Sequence, residues 1–177
     1  MSHTKVIVIS AVSGGGKTTI VKELVNQLPS SKALYFDEYD FDEYPKDYYE
    51  WTVSGSDYNL WNISPIVKDV NKIISENAVN YLLIDYPFAY QNNQMSPFID
   101  IAIFIDTPLD IAMARRIMRD FSDKSMEDLK DELSGYVLKG RISYLAMLDR
   151  IKPDSDIVID GKLSVDKIVN KILNEIV

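Results

Sequence analysis

The residues with the clearest chemical potential form one continuous stretch near the amino end, from Val6 to Thr19. An apolar run is followed by three glycines, a lysine and two threonines, and then by an amphipathic segment. This order matches the phosphate-binding pattern G-x-x-x-x-G-K-[ST], with Ala11 in the first glycine position. Small residues let the backbone wrap closely round an anion beside the N-terminus of a helix. The stretch therefore predicts a strand, a phosphate-binding loop and a helix.

The residues of this loop have expected partners in a nucleotide. The Lys17 ammonium is expected to reach the β- and γ-phosphates, and the Thr18 hydroxyl is expected to bind Mg²⁺. The predicted nucleotide-binding residues of the loop are Ser13, Gly14, Gly15, Gly16, Lys17, Thr18 and Thr19. The alternative is a glycine turn before a surface helix. We disfavour it because the strand, the glycines, the lysine, the threonine and the helix follow in the order that the motif requires.

Two carboxylates follow predicted strands. Asp37 comes after the apolar residues 33–36, and Asp85 comes after residues 81–84. Ligands of open α/β sheets bind beside the carboxyl ends of the strands, so Asp37 is expected to be functional. Asp85 is expected to hold Mg²⁺ through water, and its alternative role is that of a turn or helix-capping residue. In the segment 37–50, most acids are expected to be solvated, whereas the aromatic residues either floor a substrate pocket or cover the sheet edge.

The elements that position these residues alternate between strand and helix. Apolar runs predict strands at residues 6–9, 33–36, 81–84, 99–105 and 156–160. Helices are predicted at residues 17–28, after an N-cap at Ser64, after an N-cap at Asp106 or Thr107, at 126–150 and at 164–177. This alternation predicts right-handed crossovers and a parallel sheet with helices on both faces.

Composition and charge exclude several classes of protein. The chain has 177 residues, which predicts one domain over residues 1–177. It contains no cysteine, so disulfides, thiolate nucleophiles and cysteine metal sites are excluded, and a cytoplasmic location is expected. The net charge of −8 is unfavourable for binding a nucleic-acid backbone. Because no apolar run approaches about 20 residues and no signal-peptide pattern is present, no membrane partner is expected.

Four segments together resemble the P-loop nucleoside kinases, especially the uridine kinases and their nicotinamide riboside kinase relatives. The matching segments are 11–18, 37–39, 104–120 and 152–159. The resemblance implies a three-layer α/β fold whose five-stranded parallel sheet has the order 2-3-1-4-5, with a short helical lid at about residues 115–130. It also implies transfer of the γ-phosphoryl group of ATP to a hydroxyl, with ATP and Mg²⁺ as cofactors, a small-molecule acceptor, and a monomer or homodimer.

The resemblance further implies roles for individual side chains. Asp37 would be the general base, and Mg²⁺ would be held by Thr18 and, through water, by Asp85 or Asp37. The arginines that would contact phosphates as the lid closes are Arg115, Arg116 and Arg119, with Arg116 assigned to nucleotide binding and the other two to catalysis. The residues expected to touch the acceptor are Asp37, Tyr39, Asp57 and Tyr86. From spacing alone, the arginines could equally form a solvated face or complement the C-terminus of a helix.

The chain also departs from the uridine kinase pattern. That family commonly has Glu-Gly after the third strand, where this chain has Asp85 and Tyr86, and it places a histidine against the base, whereas the one histidine here is His3. These departures leave phosphoryl transfer in place and leave the identity of the acceptor open. The alternatives are a kinase for another small acceptor, such as a coenzyme precursor, a sugar or an antibiotic, and a nucleotide-dependent switch that hydrolyses ATP slowly.

Overall fold

The computed structural model describes residues 3–176 and contains a five-stranded sheet. The strands are β1 (Lys5–Ser10), β2 (Ser31–Tyr35), β3 (Tyr81–Asp85), β4 (Ile101–Asp106) and β5 (Ile157–Asp160). All four pairings are parallel and the strand order is β2-β3-β1-β4-β5. The predicted α/β class and the predicted strand order are therefore confirmed.

The sheet separates two hydrophobic cores, because alternate side chains of each strand point to opposite faces. In β1, Val6 and Val8 pack into one core, whereas Ile7 and Ile9 pack into the other, and all four are fully buried. A strand covered on both faces has no polar side to alternate with, which explains why the central strands are almost entirely apolar.

Seven α-helices surround the sheet in the described part of the chain. They are α1 (Lys17–Gln27), α2 (Tyr48–Val53), α3 (Ser64–Glu76), α4 (Leu109–Asp120), α5 (Met126–Gly135), α6 (Arg141–Ala146) and α7 (Val165–Ile176). Helices α1 and α7 contribute to one core and α3 to the other, so helices cover both faces as predicted. None of the described helices is both long and apolar enough to cross a bilayer.

The predicted helix 126–150 is interrupted by two π-helical turns. These are Tyr136–Gly140, between α5 and α6, and Met147–Ile151, after α6. Residues at both junctions keep right-handed helical dihedral angles, so the chain runs as one helical segment from Met126 to Ile151. We refer to Met126–Ile151 as the long helical segment.

Two predicted helix caps are wrong. Helix α3 has Ile63 at its N-cap, and the amide of Ser64 donates to the Asn62 side chain at 3.2 Å, so the Ser64 side chain does not cap it. Helix α4 begins at Leu109 with Pro108 at the N-cap and no side-chain cap. The strand bounds also differ by one or two residues: among these differences, Phe36 lies in a 3₁₀ turn, Phe36–Glu38, and β4 begins at Ile101 rather than at residue 99.

Asp106 and Thr107 do not cap α4 because each binds a distant partner. The Asp106 carboxylate accepts from the Lys152 ammonium at 2.6 Å. The Thr107 hydroxyl donates to the carbonyl oxygen of Gly15 at 2.9 Å. Both side chains therefore tie the end of β4 to other elements instead of satisfying the amides of the following helix.

Candidate active site

The loop between β1 and α1 has the backbone shape that its glycines allow. Gly14 and Gly16 have φ values of 78° and 100°, which side chains rarely tolerate. Gly16 is the N-cap residue of α1. A Cβ atom at Gly14 would collide with the backbone carbonyl of Ala112 in α4, so the loop also packs closely against the helix that carries the arginines.

This loop borders a cavity of about 450 Å³, which we call the loop cavity. Its lining residues are Ser13, Gly14, Gly16, Lys17, Thr18, Thr19, Asp37, Arg115 and Arg119. Three cations and one carboxylate therefore surround a space at the N-terminus of a helix, which is an arrangement suited to a polyanion. The structure brings most of the predicted nucleotide-binding residues together with Asp37 and two of the three arginines.

Gly15 does not line the loop cavity and instead anchors the loop from behind. Its carbonyl accepts the hydrogen bond from Thr107, whose side chain is almost fully buried. Gly161 packs so closely on Thr107 that a Cβ atom would collide with it. Thr107 is therefore held from the side of β5 while it holds the loop, and the sequence pattern did not indicate this role.

The oxygen atoms at the foot of the loop cavity fit Mg²⁺. The Thr18 hydroxyl donates to Asp85 Oδ2 at 2.5 Å, and Asp85 is 4% exposed at the end of β3. Burial raises the pKa of Asp85, the charge of Lys17 and the hydrogen bond from Thr18 lower it, and the charge of Asp37 raises it. The set of a hydroxyl and two carboxylates consists of the hard oxygen donors that Mg²⁺ prefers. Since residues 3–176 hold no cluster of three acidic or histidine side chains, phosphate and water would complete the shell.

Asp37 lies where two cavities meet. It follows β2 in the 3₁₀ turn Phe36–Glu38 and lines both the loop cavity and a neighbouring cavity of about 320 Å³. We call the second one the side cavity, and its lining residues are Phe36, Asp37, Tyr39, Asp40, Phe41, Tyr44, Tyr48 and Trp61. Tyr39 is thus near Asp37, and its hydroxyl donates to Asp69 at 2.8 Å.

A third cavity, of about 430 Å³, lies under the long helical segment, and we call it the aromatic cavity. Its lining residues are Ser13, Tyr48, Trp51, Tyr58, Phe88, Arg116, Glu132, Gly135, Tyr136, Gly140, Ser143, Tyr144 and Met147. It shares Ser13 with the loop cavity and Tyr48 with the side cavity. Most of these residues were missed by the sequence analysis.

A sequence signal for the aromatic cavity does exist. Glu132, Tyr136, Gly140 and Tyr144 follow one another at intervals of four, so they share one face of the long helical segment. That face is aromatic, charged and glycine-bearing rather than apolar, and a helix face of this kind is unusual for pure core packing.

Arg116 faces the aromatic cavity rather than the loop cavity. Its guanidinium binds the Glu132 carboxylate at 2.6 Å and donates to the Tyr144 hydroxyl at 3.2 Å. Arg115 and Arg119 are four residues apart and line the loop cavity together, whereas Arg116 lies about 100° further round the helix. The structure therefore separates Arg116 from the two arginines with which it was grouped.

The structure does not bring Asp57 or Tyr86 into any of these three cavities. Asp57 is exposed, and its carboxylate accepts from the amide of Asn59 at 3.0 Å at the start of a short 3₁₀ turn. Tyr86 is fully buried, and within residues 3–176 its hydroxyl has no hydrogen-bond partner. Burial raises the pKa of Tyr86 well above its usual value. Its ring packs edge-on against Phe36 and Phe88.

Comparison of sequences finds distant homologues named uridine kinase. The uridine kinase of Staphylococcus carnosus is 25% identical over 203 residues, covering 97% of this chain and 96% of the relative. The uridine kinase of Borrelia garinii is 26% identical over 177 residues, covering 88% of this chain and 85% of the relative. No family model matches the chain. The resemblance drawn from the motifs is confirmed by these relatives.

Comparison of structures finds the same fold in two solved kinases. A sugar kinase from Janibacter has a TM-score of 0.59 at 16% identity and covers 97% of this chain and 93% of its own. A deoxyadenosine kinase from M. mycoides has a TM-score of 0.51 at 17% identity, covering 96% and 97%. At these identities the structural similarity shows a shared fold.

Proposed function

We propose that this chain is an ATP-dependent kinase that transfers the γ-phosphoryl group to a hydroxyl of a small molecule, a nucleoside or a nucleoside-like compound. The observation that carries the proposal is the position of Asp37. Its carboxylate shares the loop cavity with Lys17, Arg115 and Arg119, and it also borders the side cavity, from which a hydroxyl can approach. The uridine kinase homologues support this class of reaction.

The loop cavity supplies the nucleotide half of the reaction. The loop backbone and Lys17 bind the phosphates of ATP, and Arg115 and Arg119 neutralise the charge that accumulates on the transferred group. Thr18, Asp85 and Asp37 would hold Mg²⁺, which supplies further charge neutralisation when it is bound. Residues 115–130 are proposed to act as the lid that excludes water during the transfer.

Asp37 supplies the acceptor half of the reaction. An acceptor hydroxyl between Asp37 and the γ-phosphate forms the new oxygen–phosphorus bond as the bond to ADP breaks, and its proton passes to the Asp37 carboxylate. The Asp37 carboxylate lines the same cavity as Lys17, Arg115 and Arg119, so it is close enough to the transferred group to accept this proton. Asp37 lines the same cavity as the phosphate-binding residues, so a hydroxyl bound between them can lose its proton to Asp37 while it attacks the phosphate. This arrangement favours an alcohol as the acceptor.

The test is ADP release from ATP and Mg²⁺, measured with and without a panel of nucleosides, sugars and coenzyme precursors. Release that depends on an acceptor supports the kinase, and equal release without any acceptor contradicts it and favours a slow hydrolase. In the kinase, Asp37→Asn should lower the acceptor-dependent rate by about 10²-fold or more, because the general base is lost. Glu38→Gln is the matched control, since Glu38 is the neighbouring exposed acid and lines none of the three cavities.

A further inference from the structure

We infer that Gly135 and Gly140 are specificity-determining residues, which keep the aromatic cavity open for an uncharged aromatic ring of the acceptor. The inference rests on the proposed function, because it concerns the acceptor of the same reaction. It assigns a role to two residues that neither the phosphate-binding motif nor the kinase resemblance involves.

The backbone does not require glycine at either position. Gly135 has φ −59° and ψ −42°, and Gly140 has φ −64° and ψ −35°, which are ordinary right-handed helical values. Residues with a side chain adopt these angles easily, and glycine weakens a helix relative to alanine. Two glycines therefore stand in the long helical segment at a cost to its stability and with no conformational reason.

Close packing does not require glycine there either. A Cβ atom at Gly135 would meet no heavy atom of residues 3–176 within 4 Å. At Gly140 the nearest atom would be Tyr136 Cδ2, at an ordinary contact distance of 3.7 Å. Gly14 is different, since a Cβ atom there would collide with the backbone of Ala112. At Gly135 and Gly140 the missing side chains leave open space, and both residues line the aromatic cavity.

The walls of this space suit a flat ring. Trp51, Tyr58, Phe88, Tyr136 and Tyr144 all line the cavity, and aromatic faces and edges bind other rings in stacked or edge-on arrangements. A cavity of about 430 Å³ lies within the usual size range of small-molecule sites.

The charges of the cavity suit a neutral ring. Among the described residues that line it, Arg116 and Glu132 are the charged ones, and they pair at 2.6 Å. A phosphate or an ammonium group placed among the aromatic rings would find no free counter-charge, and burying an unpaired charge is unfavourable. The aromatic cavity meets the loop cavity at Ser13 and the side cavity at Tyr48, and Asp37 lines both of those cavities. A ligand whose ring lies under the helix can therefore place its hydroxyl beside Asp37 and the phosphates.

The chain has two tryptophans, and Trp51 is the one that lines this cavity, so its fluorescence can report binding there. A Trp61→Phe background is used, and the protein is first saturated with a non-hydrolysable ATP analogue and Mg²⁺. The analogue fills the loop cavity, so the phosphate of an added monophosphate cannot bind there. The protein is then titrated with uridine, inosine, ribose and uridine 5′-monophosphate. At least one of the two nucleosides should change the Trp51 emission saturably. Ribose and the monophosphate should bind at least about tenfold more weakly, since they lack the ring or add a charge.

Leucine substitutions then test the two glycines. Gly140→Leu and Gly135→Leu should each weaken nucleoside binding by about tenfold or more, because the new side chain occupies the space of the ring. The matched control is Ser134→Leu, which adds the same side chain at an exposed neighbouring position that does not line the cavity. Circular dichroism and thermal unfolding of each variant show whether the helix is intact, and Gly135→Ala and Gly140→Ala should unfold at the same temperature as the parent or higher.

Three binding results overturn the inference. They are the absence of any saturable Trp51 response to either nucleoside, equally tight binding of ribose or the monophosphate, and unchanged affinity in both leucine variants. Destabilisation by both alanine variants also overturns it, because the glycines would then serve the π-helical backbone. Failure of the proposed function looks different: the nucleosides bind and the glycine variants weaken them, but no acceptor stimulates ADP release from ATP.

Discussion

The loop cavity and the aromatic cavity share Ser13 but are built in opposite ways. The loop cavity takes most of its lining from residues between 13 and 19, and its chemistry is that of backbone curvature and three cationic side chains. The aromatic cavity takes its lining from residues between 13 and 147, and its chemistry is that of ring faces and empty space.

This difference explains how one site can combine a part that binds any nucleoside triphosphate with a part that selects the acceptor. A backbone loop with fixed φ angles recognises phosphate whatever compound carries it. A cavity assembled from distant side chains can change its shape by a substitution at one residue without disturbing the loop. We therefore expect the nucleotide half to respond to loss of charge and the acceptor half to respond to changes of volume.

The largest effect is expected from Lys17→Ala. Removing the one ammonium group of the loop should lower phosphoryl transfer by about 10²–10³-fold, because charge on the transferred group loses a fixed partner. The Trp51 response to nucleosides should remain. ADP-release kinetics and Trp51 titration measure the two halves separately, and Lys22→Ala, on the exposed side of α1, is the control. Transfer at a near-normal rate would show that the loop does not bind the reacting phosphates.

A smaller effect is expected from Thr107→Val, which removes the hydroxyl that holds Gly15 but keeps the side-chain shape. The KM for ATP should rise by about three- to tenfold, since the net contribution of one hydrogen bond is about 1 kcal/mol. The acceptor KM should stay unchanged. Thr107→Ser keeps the hydroxyl and should restore most of the ATP affinity. Equal behaviour of the valine and serine variants would assign Thr107 to packing alone.

Glu132→Gln tests the charge balance of the aromatic cavity. The variant leaves Arg116 without its closest anion, so a negatively charged acceptor should be rejected less strongly. The preference for a nucleoside over its monophosphate, measured by the Trp51 titration, should narrow by up to about tenfold, as expected for one partly screened charge pair. Asp131→Asn is the control, because Asp131 is an exposed acid on the same helix. An unchanged ratio of the two affinities would mean that the Arg116–Glu132 ion pair does not contribute to the discrimination against a charged acceptor.

The smallest effect concerns Asp85 and the pH dependence of stability. Burial raises the pKa of Asp85 above its unfolded value of 3.8. This group therefore favours the folded state below about pH 4, and that contribution is lost as the pH rises through the folded pKa. Asp85→Asn lacks the titration, so its unfolding temperature relative to the parent should increase from pH 4 to pH 7. Thermal unfolding of the nucleotide-free protein measures this difference, and a constant difference contradicts it. Asp110→Asn, at an exposed acid, is the control.

Much of the fold could be predicted because its signals are local. The apolar runs of β1, β3 and β4 and the alternation with helices are visible in the sequence, and the family resemblance supplied the strand order. The N-caps at Ser64 and at Asp106 or Thr107 failed for one physical reason. A polar side chain at a helix start can bind the helix or a distant partner, and propensity alone does not distinguish the two.

The sequence alone determined the floor of the loop cavity, because a phosphate-binding loop is made by consecutive residues whose φ angles and side chains are local properties. The tertiary structure alone decided that Arg116 turns away from Arg115 and Arg119, that Asp57 and Tyr86 lie outside the cavities, and that Thr107 holds the loop. The aromatic cavity is also a property of the tertiary structure. The open space beside its glycines becomes a cavity only when residues that are distant in the sequence fold around it.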